Sequence, residues 1–101
     1  MRQFNHKIRS NTINYTCWSD KRGRLRVPSS ACRHAGFKPG DRVKLFLDSA
    51  KIQWTIAIDP NGRYKVEKDG AIRLGKQCSR FGDENGIYMT SDSCSNSIGI
   101  L

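Results

Sequence analysis

The chain has 101 residues, of which 18 are lysine or arginine and nine are aspartate or glutamate, giving a formal charge of +9. That length suits one small domain, and a hydrophobic fraction of 37% excludes general disorder. No run reaches the ~20 apolar residues of a membrane span, and residues 1–11 lack the apolar centre of a secretory signal, so we expect a cytoplasmic protein without a membrane partner. The excess of positive charge predicts an acidic partner.

The cysteines and histidines predict neither a metal site nor a catalytic centre. In a cytoplasmic protein we expect free thiols and no required disulfide at the four cysteines, Cys17, Cys32, Cys78 and Cys94. No Cys-x-x-Cys pair occurs and neither histidine stands at a metal-ligand spacing, so we expect no zinc and no cofactor. No Ser/His/Asp set or pair of carboxylates stands out, which predicts that the protein is not an enzyme. His34 is predicted as a surface residue near a helix C-terminus.

The first predicted elements follow a polar and basic segment, residues 1–11, which we interpret as a mobile arm. Residues 12–19 alternate β-branched or aromatic residues with polar ones, as a strand does. Gly23 supplies the positive φ of a turn. Residues 24–27 form the next strand and Pro28 ends it, because proline cannot donate to a sheet.

Alternation along residues 24–27 assigns a side to each side chain. Leu25 and Val27 should be buried, and Arg24 and Arg26 should be exposed on the opposite face. A short helix is predicted over residues 29–35, with Ser29 or Ser30 as its cap and Gly36 just past its end.

The remaining elements are strands joined by turns. We predict strands at 42–47, 52–58, 64–67, 71–74, 86–90 and 97–101, with a hairpin loop at 48–51 and a loop at 91–96. A shift of 47 residues places Gly23 on Gly70, Leu25 on Ile72, Arg26 on Arg73, Val27 on Leu74 and Arg33 on Arg80. This match predicts an internal duplication, with repeats at 12–60 and 63–101 inside a single domain, 12–101.

Residues 23–28, Gly-Arg-Leu-Arg-Val-Pro, are followed by a short helix and by Phe-Lys-Pro-Gly-Asp at 37–41. This order resembles the swapped-hairpin domain of the AbrB, SpoVT and MazE families. The resemblance implies a mainly β fold, a swapped-hairpin barrel built from two tandem repeats with one or two short helices. It implies either a monomeric pseudo-dimer or a homodimer. The second repeat departs from the pattern, since Gly75 replaces the proline and Ala71 replaces the first arginine.

The resemblance also implies binding of double-stranded DNA by a transcriptional regulator, sequence-selective or general. The residues that we expect to contact DNA are basic and lie on the turns, the exposed strand face and the helix: Lys21, Arg22, Arg24, Arg26, Arg33, Lys68 and Arg73. Two other readings stay open: the charge only confers solubility, or the arginines are the wet face of a sheet. Trp18 and Trp54 are interpreted as core or rim aromatics rather than as base-stacking platforms.

A protein-binding inhibitor or modulator is the alternative from another functional class. Such a protein would dock its basic surface on an acidic partner such as a DNA-processing enzyme. An antitoxin is disfavoured, because related antitoxins carry a long C-terminal segment and residues 97–101 are predicted as a strand.

Overall fold

A computed structural model describes residues 12–20, 22–50, 52–82 and 86–101. The arm predicted for residues 1–11 lies outside these residues, as does Lys21. The elements are β1 (Thr12–Ser19), β2 (Arg24–Arg26), α1 (Ser29–Ala35), β3 (Arg42–Asp48), β4 (Gln53–Ile58), β5 (Tyr64–Lys65), β6 (Ile72–Arg73), a 3-10 helix (Gly75–Arg80), β7 (Ile87–Asp92) and β8 (Ser97–Ile100). No helix in the described ranges is long and apolar enough to cross a membrane.

The eight strands form one antiparallel sheet in the order β5-β3-β4-β8-β7-β1-β2-β6. An isolated bridge between Val66 and Ile72 joins the two outermost strands, β5 and β6, so the sheet is nearly closed into a barrel. Closure removes the unpaired edges that would otherwise invite association with other chains. The predicted mainly β barrel is confirmed.

Alternating residues of these strands fill the barrel. The large side chains with no exposed surface are all apolar and all point inward: Leu25, Val43, Ile56, Ile72, Met89 and Ile98. Helix α1 adds Ala31, Cys32 and Ala35 to the same core. Outward positions on the same strands are therefore the ones left free for function.

Helix α1 begins and ends as its sequence predicts, but its cap differs. Its bounds match the predicted 29–35, and Gly36 follows with a left-handed φ of 82°. Neither predicted serine caps the helix, and Pro28 occupies the N-cap position without a side-chain hydrogen bond. The carbonyl of Pro28 instead accepts hydrogen bonds from the N–H groups of Ala31 and Cys32.

The prediction of a loop at residues 91–96 is wrong for Ser91 and Asp92, which belong to β7. Strand β7 continues to Asp92, and Ser91 lies between Ile13 of β1 and Ile98 of β8 with no exposed surface. The polarity of Ser91 and Asp92 suggested a loop. Pairing on both sides of β7 overrides that local preference, because it satisfies the backbone of both residues.

The two halves of the chain, β1–β4 and β5–β8, take equivalent places in the barrel. If β1 is exchanged with β5, β2 with β6, β3 with β7 and β4 with β8, every strand keeps equivalent neighbours. The strand registers of the two halves also agree. A shift of 47 residues carries β1 and β2 onto β5 and β6, with Leu25 on Ile72, and a shift of 44 carries β3 and β4 onto β7 and β8, with Leu45 on Met89. Residues that stand opposite each other on paired strands correspond in the two halves. The pair Cys17–Ile87 corresponds to Tyr64–Val43, Ser19–Leu25 to Val66–Ile72, and Leu45–Ile56 to Met89–Ile100. We call this the pseudo-twofold relation. The Leu25–Ile72 pair maps onto itself and lies at its centre; an ancestral duplication stays a prediction.

Candidate nucleic-acid interface

The outward side of β2 and β6 carries three of the predicted arginines, and we call this surface the central face. Arg24 stands directly opposite Arg73, next to the inward pair Leu25–Ile72, and Arg26 follows on β2. Like charges directly opposite each other on neighbouring strands are unfavourable. The central face therefore needs anionic groups to hold it together.

Carboxylates from two turns supply this compensation. Glu67 stands between the opposed arginines: Arg24 Nη1 donates to its Oε1 at 3.4 Å and Arg73 Nε to its Oε2 at 3.3 Å. Arg24 Nε also donates to Asp20 Oδ2 at 2.8 Å. Each opposed arginine thus has an acidic partner within the chain.

Arg26 completes this ion-pair network. Its Nη1 lies 3.6 Å from Asp69 Oδ2 and 3.9 Å from Asp20 Oδ2. Backbone N–H groups, that of Arg24 above all, hold the pKa of Asp20 below its ordinary value, and the N–H of Ala71 does the same for the pKa of Asp69. A lowered folded-state pKa adds stability above about pH 4 that is lost as the pH falls through the folded value, so the network is intact at neutral pH.

The network corrects the expected exposure of Arg24. Both Arg24 and Arg26 were expected to be exposed, and Arg26 is, with 50% of its side chain accessible, but the Arg24 side chain keeps only 21% of its exposure. Alternation correctly placed both arginines on the outward side. It could not show that Glu67, from a turn 43 residues away, would cover Arg24.

The turns that carry these carboxylates correspond under the pseudo-twofold relation. The N–H of Asp20 donates to the carbonyl of Arg24 at 2.9 Å, and the N–H of Glu67 donates to that of Ala71 at 2.8 Å. Gly23 closes the first turn with φ of 78°, as predicted, and Gly70 closes the second with φ of 87°. Glycine is the residue that adopts such angles without strain.

A buried thiol holds each turn from beneath. Cys32 of α1 donates to the carbonyl of Gly70 at 3.6 Å, and Cys78 of the 3-10 helix donates to that of Gly23 at 3.1 Å. Each helix thereby supports the turn of the opposite half. Burial raises the pKa of both thiols, and it raises the pKa of Cys17 to about 12, so all three stay protonated at neutral pH.

The other predicted contact residues are on the surface beside the central face. Arg22, Arg33 and Lys68 are exposed. Arg33 and Lys68 line one groove of about 430 Å³, together with Asp69 and Gly70. Arg22 lines the groove beside the first turn. The structure therefore brings together Arg24, Arg26 and Arg73 as one group and Arg33 and Lys68 as another.

The sequence interpretation missed a second basic surface, on the outward side of β3 and β5, which we call the basic flank. Arg42 stands directly opposite Lys65, and Lys44 is the next outward residue of β3. Lys44 Nζ lies 4.9 Å from the centre of the Phe46 ring. Within the described residues none of these three cations has a carboxylate oxygen within 4.0 Å.

Two acidic residues beside Arg42 do not neutralise the basic flank: Asp41 precedes it in the chain, and the N–H of Asp59 donates to its carbonyl at 2.9 Å. Asp41 accepts a hydrogen bond from the N–H of Lys38, and Asp59 accepts one from the N–H of Asn61. Both carboxylates are thus used by their own turns. Alternation along Arg42-Val43-Lys44 was the available signal, but the partner strand of β3 was not foreseen.

The central face and the basic flank are continuous. Arg73 and Lys65 each lie one residue from the Val66–Ile72 bridge, on neighbouring strands. Four adjacent strands, β2, β6, β5 and β3, therefore present basic residues outward.

His34 lies in the last turn of α1, as predicted, but it is not fully at the surface. It is partly buried, and a hydrogen bond of 2.5 Å joins its Nδ1 to Ser91 Oγ, tying α1 to β7. Ser91 has no exposed surface, which puts its hydroxyl out of reach of a substrate. No group of three His, Cys, Asp or Glu side chains that could hold a metal ion occurs in the described part of the chain.

The two tryptophans have different environments. Trp54 is partly buried and packs edge-on against Phe81, with the ring centres 6.1 Å apart. Trp18 lies on the outward side of β1 and is 56% exposed.

Comparisons of this chain with protein-family models, with curated proteins and with solved structures gave no match. The geometry alone therefore has to carry the functional proposal.

Proposed function

We propose that this protein binds nucleic acid, with double-stranded DNA as its ligand, through the central face and the basic flank. The observation that carries the proposal is the Arg42–Lys65 pair, two like charges placed opposite each other without a carboxylate partner in the described residues. The chain compensates the comparable pair Arg24–Arg73 with Glu67. An external anion would compensate Arg42 and Lys65 in the same way, and the phosphates of DNA are such anions.

The two surfaces would contribute differently. Lys44 and Lys65 suit phosphates as point charges, and Arg42 can grip one with two hydrogen bonds. Arg26, half exposed and only loosely paired, is the arginine of the central face best placed to exchange its carboxylates for DNA. Contacts to phosphate position a protein without reading sequence, so the proposal favours general over sequence-selective binding.

The pseudo-twofold relation supports the further proposal that this chain is an AbrB-like swapped-hairpin regulator formed by two repeats. In this proposal the protein acts in the cytoplasm. The two halves differ at Arg24 and Ala71, so they would contribute unequally and the DNA site need not be palindromic.

A titration of duplex DNA at two salt concentrations tests the proposal. The variants are Arg42→Gln, Lys65→Gln and both together, with Arg80→Gln as a control that removes one exposed charge beside Trp54. We expect each change on the basic flank to weaken binding and to lower the salt slope by roughly one, and the control to change little. An Arg24→Ala/Arg26→Ala variant should lose less than the double change on the basic flank, because its arginines are already paired.

Equal effects of Arg80→Gln and Lys65→Gln would contradict the assigned surface. If the wild-type protein ignores duplex DNA at low salt, the nucleic-acid proposal fails, and docking on an acidic protein partner takes its place.

A further inference from the structure

Two aromatic side chains stand on the outward side of β1 and β7, and we call them the aromatic flank. Trp18 is 56% exposed and Tyr88 is 52% exposed. Their strands pair with Thr16 opposite Tyr88 and Cys17 opposite Ile87. Trp18 and Tyr88 are therefore diagonal neighbours on one face, with Cα atoms about 7–8 Å apart.

The backbone at Gly86 approaches the Trp18 side chain closely. A Cβ atom at Gly86 would lie 3.2 Å from Cε2 of Trp18 and 2.7 Å from the methyl carbon of Thr16, so glycine is the residue that fits. The indole therefore lies close to this glycine, while 56% of Trp18 stays exposed. Contiguous exposed apolar surface can mark an interaction site, and Trp18 and Tyr88 are adjacent on one face.

The fold does not require aromatic residues at these positions. Under the pseudo-twofold relation Trp18 corresponds to Lys65 and Tyr88 to Lys44, so the corresponding backbone positions carry cations. Trp18 also stands directly opposite Arg26 of the central face. The aromatic flank is thus continuous with the proposed interface, at its side opposite the basic flank.

We propose that Trp18 and Tyr88 stack on unpaired bases, so that the ligand includes a single-stranded segment of nucleic acid. This inference rests on the proposed function and extends its ligand from duplex DNA to nucleic acid with a single-stranded segment. Aromatic rings beside cations are how proteins hold single strands: the cations follow the phosphates and the rings stack on the bases. In an intact duplex the base faces are already stacked on one another, so the aromatic flank would have nothing to bind.

The test compares a single-stranded oligonucleotide with a duplex of the same length, at one salt concentration. Trp18→Ala/Tyr88→Ala should lower the affinity for the single strand by roughly 5- to 150-fold for each stack lost, and should change the affinity for the duplex by less than about two-fold. Trp18→Phe keeps a stacking ring and should retain most of the single-strand affinity. Circular dichroism and thermal melting establish that each variant is folded.

Leu101→Ala is the matched control. Leu101 is 66% exposed and its N–H donates to the carbonyl of Tyr88 at 2.8 Å, so it borders the aromatic flank without an aromatic ring. Stacking predicts that Leu101→Ala binds the single strand like the wild type. A loss as large as that of the aromatic variant would show that general apolar contact, and not stacking, holds the strand, and would overturn the inference.

The remaining outcomes separate the inference from the proposed function. A wild-type protein that binds the duplex but not the single strand would overturn the inference and leave the proposed function standing. A double variant with unchanged single-strand affinity, or one that weakens both ligands equally, would also overturn it. Binding to neither ligand would end both proposals. If the double variant does not fold, the tryptophan fluorescence of the wild-type protein replaces it. Quenching of this fluorescence by the single strand, lost in Trp18→Phe, supports the inference. Unchanged fluorescence overturns it.

Discussion

The basic flank and the aromatic flank occupy corresponding positions on opposite sides of the central face. Each flank combines one strand of each half, and Lys65 and Lys44 of the basic flank correspond to Trp18 and Tyr88 of the aromatic flank. The inward positions of the same strands stay apolar and buried in both halves, as with Val43 and Ile87. The inward residues therefore maintain the barrel, whereas the outward residues are free to differ and can give each flank its own ligand chemistry.

The largest expected effect tests whether corresponding inward residues of the two halves contribute equally to stability. Leu25 and Ile72 face each other at the centre of the pseudo-twofold relation, and neither has exposed surface. Leu25→Ala and Ile72→Ala should each lower the free energy of unfolding by about 2–5 kcal/mol, because each leaves a cavity in a packed core. Urea denaturation measures both losses, and Ile72→Val, at about 0.5–1.5 kcal/mol, is the graded control. A loss below about 1 kcal/mol for only one of the alanine variants would break the equivalence.

A smaller effect is expected from Glu67, the residue that distinguishes the central face from the basic flank. Glu67→Gln removes the carboxylate that Arg24 and Arg73 share, so it should make the central face resemble the basic flank. We expect duplex affinity at low salt to rise roughly a few-fold and the salt slope to steepen by up to about two.

The control for Glu67→Gln is Asp92→Asn, which removes one negative charge from a carboxylate whose hydrogen bonds stay within its own loop. If both variants change the affinity equally, net charge explains the effect and the internal pairing of Arg24 and Arg73 does not.

The smallest effect concerns an inward position at which the halves differ. Tyr15 corresponds to Gly62 under the pseudo-twofold relation, and the Tyr15 hydroxyl is buried without a hydrogen-bond partner among the described residues. Burial raises the pKa of this phenol. Tyr15→Phe should leave stability unchanged or raise it by up to about 1 kcal/mol, because it removes an unsatisfied polar group. Thermal melting measures the change. A clear loss of stability would mean that the hydroxyl has a partner.

Much of the local structure follows from the sequence alone. Alternation located β1 at residues 12–19, and the run between Pro28 and Gly36 located α1, because both signals act between near neighbours along the chain. It also assigned Leu25 and Val27 to the core and Arg24 and Arg26 to the outward side. Strand and helix periodicity need no knowledge of distant residues.

Which charges meet depends on the tertiary structure. Glu67 reaches Arg24 and Asp69 reaches Arg26 because β2 pairs with β6, and Arg42 faces Lys65 because β3 pairs with β5. These contacts cross between distant segments of the chain, and no local pattern specifies the register of such strands. For the same reason the sequence showed an arginine-rich strand, whereas the fold decided which cations are compensated within the chain.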